Sequence, residues 1–354
     1  MHILASALGA TLVLACLTPD LAAQERGRRR NEPPPELTHG EYKSVEFESE
    51  ALERKARYGV YVPKSYAAEA NKDRRYPLVV WLHGMFEDDM RFHNRGGSKT
   101  LDDLIGKGEV PELILVCPNA GRSGFCINGK SGGRGEDLVV KDLLTHLDAT
   151  YRLEPAREKR AIMGVSMGGM CALKIAFRHP SLFGTVATHA AAVFPADLDK
   201  LPDRFKNAMR NQWLAPLLDE TFGDPIDRDL WRENNPLALI EACDKEKLAG
   251  LRIYHDAGSA DRYSFHLTNE MLHAALEAQE IPHTWRMIEG GGHSWGEGLA
   301  TTTLADSLRF VAVQFTAAAG KSALHDLLGP GGAKEATEKK GSTETRKDAP
   351  QPHR

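Results

Sequence analysis

The chain has 354 residues, 42% apolar and 27% charged, which suits one large globular domain or two ordinary ones and excludes a fibrous or wholly disordered protein. A formal net charge of −4 gives no support to a general nucleic-acid binder, so partners have to be argued from a site.

Residues 1–23 carry an apolar run from Ile3 to Leu17, then Pro19 and the small residues Ala22 and Ala23. The run is short for a bilayer span and predicts a cleaved secretory signal peptide, hence an exported chain, periplasmic or extracellular, with no stable span after cleavage. Arg26, Arg28, Arg29 and Arg30 follow at once, where positive charge disfavours translocation, so an uncleaved anchor or a misplaced start is the competing reading. The stretch VLAC ending at Cys16 also reads as a lipoprotein box, which would leave the chain lipid-anchored.

Residues 24–40, charged and proline-rich, read as a linker. One domain is expected over 41–320. Residues 321–354 hold almost no large apolar side chains after Leu328 and predict a disordered charged tail, because they bury too little surface to offset ordering entropy. Removal of the signal would leave Cys117, Cys126, Cys171 and Cys243, which show no metal-ligand framework. Cys117 and Cys126 flank one loop and could pair in an oxidising compartment; the alternative is that each is a small buried apolar residue.

Strand and helix signals alternate through the domain. KSVEFESE and KARYGVYV alternate polar and apolar residues as strands do, and YPLVVWLHG, ELILVCP and KRAIMG are continuous apolar runs, as in strands buried on both faces. EDLVVKDLLTHLDATY places Leu138, Leu143, Leu144, Leu147 and Tyr151 at helical spacing. MGGMCALKIAFRHP predicts a helix stopped by Pro180, LFGTVATHA and LRIYHDAG two more strands, HLTNEMLHAALEAQE a helix, HTWRMIEGG a last strand and TTLADSLRFVAVQFTA a closing helix. Buried strands separated by helices imply an α/β fold with a mostly parallel central sheet and helices on both faces.

Ser166 lies in GVSMG, where a buried strand runs straight into a helix. That is the setting of a nucleophile elbow: a strained serine whose neighbours Gly164 and Gly168 lack the side chains that would collide. A serine hydroxyl needs an imidazole to take its proton and an acid to orient that imidazole, in the chain order Ser, acid, His for this fold class. His293, in the glycine-rich EGGGHSWGEG after the last strand, is the best-placed base. His255 lies within a strand, and His266 and His273 lie in or beside a helix. His83 reads as a structural partner in the LHG turn. IYHDAGSADRY offers two acids: Asp256 ends the strand, whereas Asp261 follows the Gly258 turn and can point back toward His293. The oxyanion of acyl transfer needs two backbone N–H donors, one from Met167 and one from the WLHGMFED loop, where Met85 leads and Phe86 follows. Glu87, Asp88, Asp89 and His93 read as a solvated loop, and no residue set suggests a metal site.

With these segments in hand, the chain resembles the esterase D family of α/β-hydrolases, which includes feruloyl esterases, S-formylglutathione hydrolases, siderophore esterases and mycolyltransferases. YPLVVWLHG, VVKDLLTHLDATYRL, REKRAIMGVSMGGMCALKIAFRHPSLFG, IYHDAGSADRY and GGHSWGEG carry the resemblance over residues 41–315. It implies a triad of the serine in GxSMGG, the second aspartate of the strand-turn segment and the histidine of GHSW, which are Ser166, Asp261 and His293. It implies a serine esterase acting through an acyl-enzyme without a cofactor, on a small-molecule or carbohydrate-linked ester such as a feruloyl or acetyl ester. The alternatives are an acyltransferase of the mycolyltransferase type and a non-catalytic binding protein on the same fold. Formylglutathione hydrolases are cytosolic, so the predicted signal peptide argues against that activity. The 121–135 loop departs from the pattern, with Cys126 near where many relatives carry an aromatic pair. The stretch from Phe194 to Cys243 is expected to wall the substrate pocket; Trp213, Phe222 and Trp231 either line it or belong to the core.

Overall fold

The structure is a computed structural model that describes residues 35–121, 124–131, 133–201, 215–293 and 303–316. The predicted signal peptide, residues 24–34 of the predicted linker, Trp213 and the predicted tail lie outside the described residues.

The strand signals form one eight-stranded sheet: β1 (Gly40–Ser49), β2 (Arg54–Pro63), β3 (Leu78–Leu82), β4 (Ile114–Pro118), β5 (Arg160–Val165), β6 (Thr185–His189), β7 (Arg252–Gly258) and β8 (His283–Ile288). Their order is β1-β2-β4-β3-β5-β6-β7-β8. β1 and β2 pair antiparallel with each other, as do β2 and β4, and every pairing from β4 to β8 is parallel. Among the described residues, the α-helices of six or more residues are α1 (Gly97–Gly106), α2 (Leu144–Thr150), α3 (Met167–Arg178), α4 (Ala215–Phe222), α5 (Arg228–Glu233), α6 (Pro236–Glu241), α7 (Phe265–Ala278) and α8 (Leu304–Thr316).

The continuous apolar runs are explained by two cores, one on each face of the sheet. Leu78, Val80, Leu82, Ile162, Val186 and Ile253 point to one core, shared with α2, α3, α6 and α7. Val79, Trp81, Met163 and Tyr254 point to the other, shared with α1 and α8. Successive strand residues face opposite sides, so a strand covered on both faces is apolar throughout. The helix predicted over 136–151 contains a π-helical stretch at Leu138–Leu143 ahead of α2. Leu138 and Leu143 stand five residues apart, and the wider i to i+5 turn keeps both on the buried face.

One boundary needs correction, and two open alternatives are decided. The domain holds the chain earlier than residue 41: Leu37 packs on the second core, and the N–H groups of Thr38 and His39 donate to the buried Asp102 carboxylate at 2.7 and 2.9 Å. Cys117 and Cys126 do not pair, because they belong to the cores on opposite faces of the sheet, beyond the reach of a disulfide. Cys126 instead faces Cys171, whose hydrogen bond, against the effect of burial, holds the Cys126 thiol below its ordinary range. Phe222 and Trp231 are core residues rather than pocket lining: their rings pack against each other with centroids 5.1 Å apart, and both side chains are buried.

Lys174, on α3, is fully buried and pairs with Glu136 at 3.0 Å while its ammonium also donates to the Cys126 carbonyl. That carbonyl belongs to a turn in which Phe125 and Cys126 both adopt positive φ, 48° and 45°, closed by the Ile127 N–H on the Gly124 carbonyl. The buried cation thus holds a strained turn that neither residue favours. Burial pushes the Glu136 carboxyl up, but hydrogen bonds from His179 and Lys174 and the charges of Lys174 and Arg178 outweigh it and hold the group at about 2. A carboxyl depressed in this way contributes stability above its ordinary range near 4.5 that is lost as pH falls toward 2. Urea unfolding at pH 7 and pH 3 should therefore show a larger loss of stability for the parent chain than for Glu136→Gln, which has no such carboxylate to protonate.

Candidate active site

Ser166 adopts φ 55° and ψ −120°, a backbone conformation that a residue bearing a Cβ reaches only under constraint. The constraint comes from close backbone approach. A Cβ on Gly164 would strike the carbonyl of Gly168, and one on Gly168 would strike the carbonyls of Leu82 and His83 at the end of β3. The two glycines let α3 start directly against β3 and β5, which projects the serine from the carboxyl edge of the sheet.

His293 Nε2 lies 3.0 Å from Ser166 Oγ, and His293 Nδ1 lies 2.8 Å from Asp261 Oδ2. The Asp261 side chain is fully buried, and its second oxygen accepts the Tyr263 N–H at 2.7 Å. An acceptor-only carboxylate in that place fixes His293 as the Nδ1–H tautomer and leaves Nε2 free to accept the serine proton. The two loops are stitched together: the N–H groups of Ser259 and Ala260 donate to the carbonyls of Ile288 and Gly291, each at 2.9 Å, and Gly290 N–H donates to Ser259 Oγ at 2.8 Å. Gly258 and Gly291 meet so closely that a Cβ on Gly258 would enter the Gly291 carbonyl.

Asp256 does not reach His293. Its carboxylate faces His189, with Oδ2 2.9 Å from His189 Nδ1, and accepts the Tyr254 hydroxyl at 2.9 Å. His255 is fully buried in β7, stacked on Trp285 at 4.7 Å, and burial pulls its pKa down to about 3. His273, on α7, meets His283, Nδ1 to Nε2, at 2.7 Å. His83 Nδ1 meets the Gly84 carbonyl at 2.8 Å. Among the described residues, no group of three or more His, Cys, Asp or Glu side chains could hold a metal ion.

Met167 opens α3, so its N–H has no acceptor within the helix and the positive end of the helix dipole adds to it. Met85 and Phe86 form a turn closed by the Glu87 N–H on the Gly84 carbonyl at 3.2 Å, with Phe86 at φ 64°. A Cβ on Gly84 would sit 3.9 Å from that of Ser166, which places this turn beside the serine.

The loop after β3 is exposed at Asp88, as the sequence suggests, but not solvated at Glu87, Asp89 or His93. Glu87 folds back so that its carboxylate accepts the Gly84 N–H at 3.0 Å and Arg91 at 2.7 Å. Asp89 is buried and accepts the Ser44 hydroxyl, and His93 is buried against Tyr42, the rings 4.8 Å apart and nearly parallel. Ser44 and Tyr42 come from β1, a separation that no local pattern reveals. Sequence reasoning also missed Tyr263, whose ring meets that of His293 edge-on at 4.6 Å.

The Esterase family model matches residues 49–302, most of the described domain. The chain belongs to the Esterase family. It is therefore a serine hydrolase of carboxylic esters, and its sheet is that of the α/β-hydrolase esterases. An endo-1,4-beta-xylanase/feruloyl esterase of Xylanibacter ruminicola is 27% identical over 154 residues, 42% of this chain and only 21% of that longer protein. The S-formylglutathione hydrolase of Mus musculus is 24% identical over 76% of this chain and 93% of its own. A solved ferulic acid esterase superposes with a TM-score of 0.62 at 26% identity, covering 79% of this chain and 100% of its own.

The Gly258 contact yields a direct check on this member of the Esterase family. Gly258→Ala should part the loops that carry Asp261 and His293 and cost about 1–3 kcal/mol, as overpacking does elsewhere, in urea unfolding. Stability equal to the parent's would show that the two loops separate without cost.

Proposed function

We propose that the protein is an exported serine esterase in which Ser166 is the nucleophile, His293 the general base and then acid, and Asp261 the residue that orients it. The observation that carries this reading is the chain of two hydrogen bonds, Ser166 Oγ to His293 Nε2 at 3.0 Å and His293 Nδ1 to Asp261 Oδ2 at 2.8 Å, built on a serine held at φ 55°.

The reaction follows from those atoms. Ser166 Oγ attacks the ester carbonyl as its proton passes to His293 Nε2, and the imidazolium so formed is stabilised by the Asp261 carboxylate. The carbonyl oxygen becomes an oxyanion, received by the N–H groups of Met167 and Met85, with Phe86 the other candidate in that turn. Collapse of the tetrahedral species expels the alcohol, which takes the proton from His293, and leaves the acyl group on Ser166. Water then repeats the sequence with His293 as base, releasing the acid and restoring the serine.

The substrate we propose is an ester that joins an aromatic or acetyl group to a carbohydrate. In support, Phe86 beside the oxyanion turn and Tyr263 beside His293 are 50% and 41% exposed, and such rings suit stacking against an aromatic acyl group or a sugar face. The likeness to feruloyl esterases points the same way. Export rests on the N-terminal apolar segment. Among the described residues no helix is long and apolar enough to cross a membrane.

Hydrolysis of 4-nitrophenyl acetate and methyl ferulate by the full chain, beside Ser166→Ala, tests the reading. Turnover that disappears in the variant supports the esterase, and turnover of the ferulate supports the aromatic acyl group. An active Ser166→Ala overturns the mechanism, and transfer to a supplied sugar acceptor that outruns hydrolysis would make the protein an acyltransferase. Asp261→Asn should lower kcat by about 10³–10⁴, the scale on which the orienting aspartate acts in other serine hydrolases, and Asp256→Asn far less. The reverse order of the two effects would reassign the acid.

A further inference from the structure

A second Asp-His-Ser chain lies inside the protein. His189 ends β6 and is 3% exposed; its Nδ1 lies 2.9 Å from Asp256 Oδ2 on β7, and its Nε2 lies 2.9 Å from Ser307 Oγ on α8. Thr303 Oγ1 stands 3.4 Å from the same Nδ1, and the Tyr254 hydroxyl holds the Asp256 carboxylate. This chain is not another reaction centre. Ser307 is fully buried, and its hydroxyl donates to the Leu304 carbonyl at 3.0 Å, so its proton is already placed and no substrate reaches it.

Its connection to the reacting serine runs through the backbone. The His189 carbonyl accepts the Ser166 N–H at 2.9 Å, and the Ala192 N–H donates to the Ser166 carbonyl at 2.9 Å. Between them Ala190, at φ 43°, donates to the Asp256 carbonyl at 2.7 Å. Residues 189–192 thus grip both peptide groups of the strained serine, and the side chain of His189 anchors that grip to β7 and α8. A buried ionisable chain of this kind gives little net stability over apolar packing, but it does hold a direction.

We propose that His189 is a positioning residue for Ser166: Asp256 and Ser307 fix its ring, the ring fixes its carbonyl, and the carbonyl fixes the orientation of the nucleophile. The inference rests on the reading of Ser166 as nucleophile. Misplacing a reacting atom by about 1 Å can cost about 10²-fold in rate, so a smaller displacement is expected to lower kcat.

The test compares the full-length parent with Ser307→Ala, Ser307→Thr and Asp256→Asn on 4-nitrophenyl acetate, with reactive serines counted by a fluorophosphonate. Ser307→Ala should lose about tenfold in kcat per titrated site with KM within about twofold, and Ser307→Thr, which keeps the hydroxyl, should recover the parent's rate. A per-site kcat equal to the parent's, with only the titratable fraction reduced, would mean a purely structural role and overturn the proposal. If Ser307→Ala does not fold, Asp256→Asn carries the same comparison with the same two outcomes. A parent chain without Ser166-dependent turnover defeats the esterase reading and this inference with it, and that result is seen before any of these variants is compared.

Discussion

A serine held at φ 55° and ψ −120° is the constraint around which the rest of the protein is arranged. Left to itself the residue would relax to an ordinary backbone conformation and turn its hydroxyl away from His293. The relaxation is blocked by β3 and α3, whose backbones meet through Gly164 and Gly168, and by the hydrogen bonds that His189 and Ala192 make to the serine's own peptide groups. Neighbouring strain has separate support: the left-handed turn at Phe125 and Cys126 is fastened by the buried Lys174 ammonium.

The two aspartates of IYHDAGSADRY show how a few residues of backbone decide chemistry. Asp256, still inside β7, meets a histidine from the adjacent strand in a closed interior. Asp261, beyond the Gly258 turn, meets a histidine from the loop after β8 at the edge of the sheet. Both pairs join a carboxylate to Nδ1 and leave Nε2 facing a serine hydroxyl, yet one serine is fully buried and the other is only half-buried. Position relative to the sheet edge, rather than residue type, separates the buried network from the one a substrate can reach.

Much of this was legible in the chain because its signals are local or carried by short patterns. The apolar runs VVWL, ILVC and AIMG became β3, β4 and β5, and GVSMG marked the strand-to-helix turn that puts Ser166 where it stands. Chain order with the Gly258 turn and the family resemblance pointed to Ser166, Asp261 and His293, the three side chains that the fold brings within hydrogen-bonding distance. Most of what escaped depends on partners far away in sequence. Asp89 and His93 look solvated until Ser44 and Tyr42 of β1 cover them, whereas Glu87 escaped although its partners Gly84 and Arg91 are close in sequence, because only the folded turn brings them together. Cys126 sits next to Cys117 in sequence terms, but the sheet divides them. His189 falls in a strand-like run, and only the arrival of β7 and α8 gives its ring a task.

The separation of the reacting groups along the chain has a consequence for when activity first appears. Ser166 and His293 stand 127 residues apart, and His189 and Ser307 stand 118 apart. Such distant contacts have to close large loops, so they form late and together with the bulk of the tertiary structure. A growing or half-folded chain carries Ser166 well before His293 and α8 have been added. On the proposed roles, ester cleavage would be withheld until the loop bearing His293 reaches Ser166, and it would reach its full rate once α8 docks, which makes the hydrolytic rate a measure of how many chains have folded to completion.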